Sequence, residues 1–136
     1  TENSDRALAS LDELLRYDSP LQYLPRYATE TFEIGDQTIE AGETVITVIG
    51  AANRDEEIFA EPDRLDLDRE NSASHLAFSI GPHFCIGAAL ARMEGELAFS
   101  SLARRFPKIC LTAEPHAYRG SAMLRAITSL PVSLSG

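Results

Sequence analysis

The stretch that most constrains this chain runs from Phe78 to Gly87, F-S-I-G-P-H-F-C-I-G. It places Cys85 just ahead of Ala88 to Phe106, a run whose spacing predicts a helix. A cysteine at a helix N-terminus lies at the positive end of the backbone dipole, which favours its thiolate. The thiolate is the form that ligates a metal or attacks an electrophile. Gly81 permits a tight turn that a residue with a Cβ resists. Gly87 leaves bare backbone where a flat ligand could approach, and the Phe78 ring could pack over the sulfur. Taken alone, Cys85 also reads as a buried structural thiol. A zinc site with His83 would need four ligands, and no spacing among His75, His83, His116, Cys85 and Cys110 repeats a zinc pattern. A cysteine nucleophile working with His83 or His116 has no Asn or Asp constellation to support it.

With 136 residues, 44% hydrophobic and 24% charged, the chain has the make-up of one folded domain with a core. The net charge of −9 argues against a nucleic-acid partner, and no apolar run is long enough for a membrane span. The first residue is Thr1, which reads as a processed chain or a fragment. Cys110 in K-I-C-L-T reads as a buried strand residue, and with Cys85 otherwise engaged the pair suggests a reducing, cytoplasmic setting.

Along the chain, Ser4 to Arg16 predicts a helix capped by Ser4 or Asp5, with Leu8, Leu11, Leu14 and Leu15 on its apolar stripe and Pro20 beyond its end. Glu13 and Arg16 share one face of it, an arrangement that in most helices is only a surface ion pair. Strands are expected over Arg26 to Phe32, Thr38 to Glu40 and Thr44 to Ile49, with turns at Gly35-Asp36 and Ala41-Gly42. Ala51 to Asp55 reads as a helical turn, and Glu56 to Asn71 as a long irregular segment. In the helix after the cysteine, Ile86, Leu90, Met93 and Leu97 form an apolar stripe that reads mostly as core, and Pro107 ends the helix. Ile109 to Thr112, Ala122 to Ile127 and Val132 to Leu134 read as strands, with a loop from Glu114 to Ser121.

The cysteine loop matches every fixed position of F-x-x-G-x-x-x-C-x-G and so resembles the haem-ligand loop of the cytochrome P-450 family, the haem-thiolate monooxygenases. The resemblance continues through E-L-L-R at Glu13 to Arg16, then R-Y-D-S-P, R-x-A from Arg26, G-x-x-I-x-A-G-E-x-V, A-A-N-R-D, F-A-E-P-D-R-L-D and A-L-A-R-M-E, in the order of the bacterial branch. It covers nearly the whole chain but only the last third or so of the family's fold.

That resemblance implies an α+β, mainly α, architecture: the C-terminal portion of the P-450 fold, without the distal helix and N-terminal part. It implies haem b (iron protoporphyrin) as cofactor, ligated by Cys85 and flanked by Phe78 and Gly87, with Arg26 and His83 at the propionates. It makes Glu13 and Arg16 a buried brace for the cysteine loop, completed by an arginine of the irregular segment. Arg64 and Arg69 both fit that place, and Arg69 is preferred. Arg92 becomes a candidate for the surface that meets an electron donor such as a ferredoxin or flavoprotein, although a solvated helix charge reads equally well. The intact protein would insert one oxygen atom from O2 into a small organic substrate, while this chain alone supplies no catalytic residue. The alternative is a truncated, non-catalytic remnant that binds haem or acts by interaction. A fragment should bare a large apolar face, to be met by the missing part or by self-association. Ser79, where the family often has Gly, and the less typical Ser10-Leu11-Asp12 are the departures; the serine is expected to be harmless in a loop.

Overall fold

The computed structural model describes residues 2–112, 118 and 121–134, and side-chain surroundings from residue 10 onward. Helix α1 spans Glu2–Tyr17. Because it starts at Glu2, Ser4 and Asp5 lie within it rather than at its N-cap; their side chains, and that of Leu8, lie outside the described residues. The helix gives way before Pro20, which has no N–H to continue the ladder. Ser19 Oγ donates to the Leu15 carbonyl at 2.8 Å, satisfying one of the carbonyls the helix end leaves over.

Strand β1 (Leu24–Tyr27) pairs antiparallel with β4 (Thr44–Thr47), setting Arg26 opposite Val45. Between them, β2 (Phe32–Ile34) and β3 (Gln37–Ile39) form a hairpin turned at Gly35, whose φ of 59° suits glycine. The single strand expected over Arg26 to Phe32 is thus two strands. Ala28 exchanges bonds with Glu43 and Gly42 at the tight turn ahead of β4, and with no partner strand left beyond that turn the ladder stops. Strand β4 ends at Thr47 because Ile49 already opens the short helix α2 (Ile49–Ala52).

The irregular segment after α2 is a succession of turns anchored by Phe59, whose side chain is fully enclosed. Helix α3 (Ala88–Arg105) crosses α1 where a Cβ on Gly95 would stand 2.9 Å from Leu11 Cδ1, so glycine is what lets the helices approach there. Strands β5 (Cys110–Leu111) and β6 (Val132–Ser133) close the chain. The expected strand over Ala122 to Ile127 is reduced to single bridges, Leu21 with Leu124 and Tyr118 with Ile127. Most of the loop expected over Glu114 to Ser121, including His116, lies outside the described residues.

Two expectations about the core are overturned. Cys110 is exposed, since a pair of two-residue strands offers no layer to cover it. The stripe of Ile86, Leu90, Met93 and Leu97 is exposed as well, Leu97 at 59% and Ile86 fully, because α1 covers another side of α3. The chain exposes 9860 Å² in all, whereas a compact monomer of its mass would expose about 7,000 Å². Among the described residues the largest fully buried side chains are Arg16, Phe59, Glu13, Asn53 and Ser19, beside the smaller apolar set of Leu11, Ala28, Ile49 and Ala88, so much of the interior is polar. Among the described residues no helix is long and apolar enough to cross a membrane.

Candidate cofactor-binding site

The cysteine loop is built by backbone bonds. Ser79 N–H donates to Leu76 C=O at 2.8 Å, Phe84 N–H to Gly81 C=O at 3.0 Å and Cys85 N–H to Phe78 C=O at 2.9 Å. Gly81 opens a 3₁₀ turn through His83 with φ of 63°, the left-handed geometry its lack of a Cβ allows. Ser79 adopts φ of 62° as well, so the serine is not the harmless replacement expected: an L-residue with a Cβ pays steric strain there. The Cys85 carbonyl accepts Ala88 N–H at 3.1 Å as α3 begins, and Gly87 takes the N-cap position. The thiol itself is exposed. A Cβ built on Gly87 would lie 3.7 Å from Cys85 Sγ and, apart from its neighbours in the chain, would meet nothing else within 4 Å, so the space beside the sulfur is open.

Arg26, from β1, and His83, from the loop, line one concavity of about 270 Å³, with Ile49, Leu76 and Ile80 as apolar wall. Arg26 Nη1 rests on the Pro25 carbonyl at 2.9 Å. Cys85 and Phe78 are not part of that wall. The Phe78 ring is held between the His75 ring, 5.7 Å away, and the Arg92 guanidinium, 4.8 Å away. Its backbone carbonyl, rather than its ring, is the link to Cys85. Arg92 donates from Nε to Asp12 Oδ1 at 2.9 Å and its side chain stays partly exposed.

Behind the loop lies the ion-pair node. Arg16 spends its fork on three segments: Nε and Nη2 grip Glu13 at 2.7 and 2.8 Å, Nη1 reaches the carbonyls of Asn53 and Pro62, and Nη2 also reaches that of Arg64. Arg69 Nε stands 3.2 Å from the Glu13 carboxylate. Arg64 joins through its backbone, its side chain turning outward to Glu61. Burial alone would raise the Glu13 pKa, but hydrogen bonds from Arg16, Asp66 N–H and Arg69, with the Arg16 charge, outweigh it and hold the carboxyl below its ordinary value. The pair therefore stabilises the fold above the ordinary carboxylate range, and that contribution is lost as pH falls through the lowered pKa.

Asn53, His75 and Asp12 link this region to the loop, in roles the sequence did not assign them. Asn53 is fully buried; its Nδ2 donates to Ser19 Oγ and its Oδ1 accepts Leu76 N–H, both at 2.7 Å. His75 Nδ1 accepts Ala77 N–H at 3.0 Å, and its Nε2 lies 3.2 Å from Asp12 Oδ1. Consecutive amides entering the loop are thus held by side chains, Leu76 N–H by the distant Asn53 and Ala77 N–H by its near neighbour His75, which Asp12 of α1 in turn holds.

A thiolate-ligated porphyrin asks for a soft donor for its metal and for cations near its carboxylates. An exposed thiol with open space beside it, and a guanidinium and an imidazole sharing one hollow, fit that demand. Among the described residues no group of three or more His, Cys, Asp and Glu is placed to hold a bare metal ion.

Comparison with known proteins gives a match of residues 8–128 to the family model described as Cytochrome P450. The chain is 43% identical over 125 residues to a putative cytochrome P450 140 of Mycobacterium bovis, covering 92% of this chain and 28% of that one. It is 44% identical over 126 residues to cytochrome P450 107B1 of Saccharopolyspora erythraea, covering 90% and 31%. Among solved structures it is similar to P450BioI in complex with hexadec-9Z-enoic acid ligated acyl carrier protein: TM-score 0.92, 41% identity, 98% of this chain and 35% of that one. The chain thus spans about a third of the length of the relatives it matches.

Proposed function

The chain belongs to the cytochrome P450 family, and from that premise we propose that it is the haem-ligating part of a bacterial-type monooxygenase. In this reading Cys85 is the axial ligand, Arg26 and His83 meet the propionates of haem b, and Gly87 and Phe78 shape the space and backbone around the sulfur. Glu13, Arg16 and Arg69 brace the loop from behind. Haem so ligated supplies the chemistry by which one atom of O2 enters an organic substrate.

This chain's own part is to hold and tune. The Cys85 N–H is tied to Phe78, which fixes the start of the ligand turn. Two cationic or proton-accepting groups in one hollow offer the counter-charges that carboxylates require. The observation that carries the reading is the exposed thiol beside the open side of Gly87, on a loop held by backbone bonds at Ser79, Phe84 and Cys85. The bare stripe on α3 and the surplus of accessible surface support completion by further elements of the family's fold, which would bring the substrate pocket. The substrate is a small organic molecule, free or carrier-bound as in the P450BioI complex. The electron donor is a ferredoxin or flavoprotein. The setting is cytoplasmic.

The test is to add haem to the purified chain, reduce it with dithionite and record the carbon monoxide complex. The expected outcome is a red-shifted Soret band of thiolate type, lost in Cys85→Ala and kept in Cys110→Ala. A thiolate-type spectrum surviving in Cys85→Ala overturns the assignment, and its absence from the wild-type chain favours the non-catalytic remnant.

A further inference from the structure

We propose that Asp12 is a positioning residue that clamps the Cys85 loop between α1 and α3 through His75 and Arg92. One carboxylate oxygen serves both: Oδ1 lies 3.2 Å from His75 Nε2 and 2.9 Å from Arg92 Nε. His75 precedes the loop and Arg92 follows it, so a single group on α1 grips the chain on both sides of the cysteine. The two partners also enclose the Phe78 ring, and the Phe78 carbonyl accepts Cys85 N–H at 2.9 Å. The contacts thus run from Asp12, through His75 and Arg92, to Phe78 and the backbone of the ligand turn.

The hydrogen bonds fix the protonation state. Because Nδ1 accepts Ala77 N–H, the ring proton sits on Nε2, directed at Asp12, and the imidazole is neutral. Burial holds the His75 pKa down; Asp12 opposes this and Arg92 adds to it, leaving it below the ordinary histidine value. Asp12 on α1 and Arg92 on α3 are the charged groups that face the ring. A second ring proton would put a donor against Ala77 N–H and break that bond. The clamp therefore holds while His75 is neutral and loosens as pH falls through its lowered pKa. Its consequence for a cofactor rests on the reading of Cys85 given above; the clamp itself requires no haem.

Amide hydrogen exchange followed by NMR on the haem-free chain tests it, with Ala28 N–H, bonded to Glu43 at the sheet, as internal standard. Asp12→Ala is expected to speed exchange at Ala77 and Cys85 about tenfold relative to that standard, as for loss of a hydrogen bond to a charged group. In the wild type, protection at both amides, corrected for intrinsic exchange, falls with acidification below the ordinary histidine range. His75→Gln, which can accept from Ala77 and donate to Asp12, keeps the protection and removes its pH dependence. Unchanged relative rates in Asp12→Ala, or a pH dependence that persists in His75→Gln, overturns the proposal. Should Asp12→Ala not fold, the pH series on the wild type and His75→Gln decides alone. Failure to bind haem would count against the proposed function and leave these exchange rates untouched.

Discussion

The ion-pair node and the outer stripe of α3 are opposites in how they are satisfied. At the node, Glu13 and Arg16 are excluded from water, yet each finds its partners within the chain, in segments as distant as Asn53, Arg64 and Arg69. On α3, Leu90, Met93 and Leu97 repeat at helical spacing and face solvent. Charged groups that would be costly to bury have been buried and paired, while hydrocarbon that would gain from burial is left bare. The node serves this chain's own fold; the stripe gains its value only when something else lies against it.

Arg16→Lys should separate the two regions most sharply. A lysine cannot reproduce the two-pronged grip on Glu13 while also reaching three carbonyls, and each buried acceptor left without a donor costs about 1–3 kcal/mol. Urea unfolding followed by circular dichroism should show a loss of that order, and a loss under about 1 kcal/mol would mean that water already reaches the node. An intermediate effect is expected at the loop between the regions. Ser79→Gly relieves the left-handed strain at φ of 62°, at some cost in chain entropy, for a net gain of about 0.5–1 kcal/mol. A destabilised variant would show that the serine side chain holds the turn. The smallest effect belongs to α3: Leu97→Gln should change stability by less than about 0.5 kcal/mol while lowering the fluorescence of bound anilinonaphthalene sulfonate. A loss of about 2 kcal/mol or more would mean that copies of the chain already cover the stripe.

What could be read from the sequence follows the same division. The cysteine turn, the Gly81 and Gly35 turns and the helix after the cysteine are set by neighbours in the chain, and spacing reveals them. Glu13 and Arg16 stand one helical turn apart, so their pairing was legible, while their burial came from the family resemblance. Asn53, His75 and Asp12 were not legible as a link, because their partners lie 23 to 63 positions away for Asn53 to Leu76 and His75 to Asp12. The α3 stripe reads as core in the sequence because periodicity identifies an apolar face but not what covers it. The sequence leaves Arg92 equally a docking candidate and a solvated helix charge, because nothing local announces Asp12 beside it. Cys110 reads as buried from its apolar neighbours, but such a neighbourhood in sequence does not guarantee a second layer in space.

A centre made of a guanidinium fork, a carboxylate and an amide also shapes how the chain should answer to temperature. Releasing polar groups into water lowers the heat capacity of the unfolded state, whereas releasing hydrocarbon raises it. With much of its hydrocarbon already wet, this chain should gain little heat capacity on melting, and its stability curve should be shallow, broad and slow to turn over in the cold.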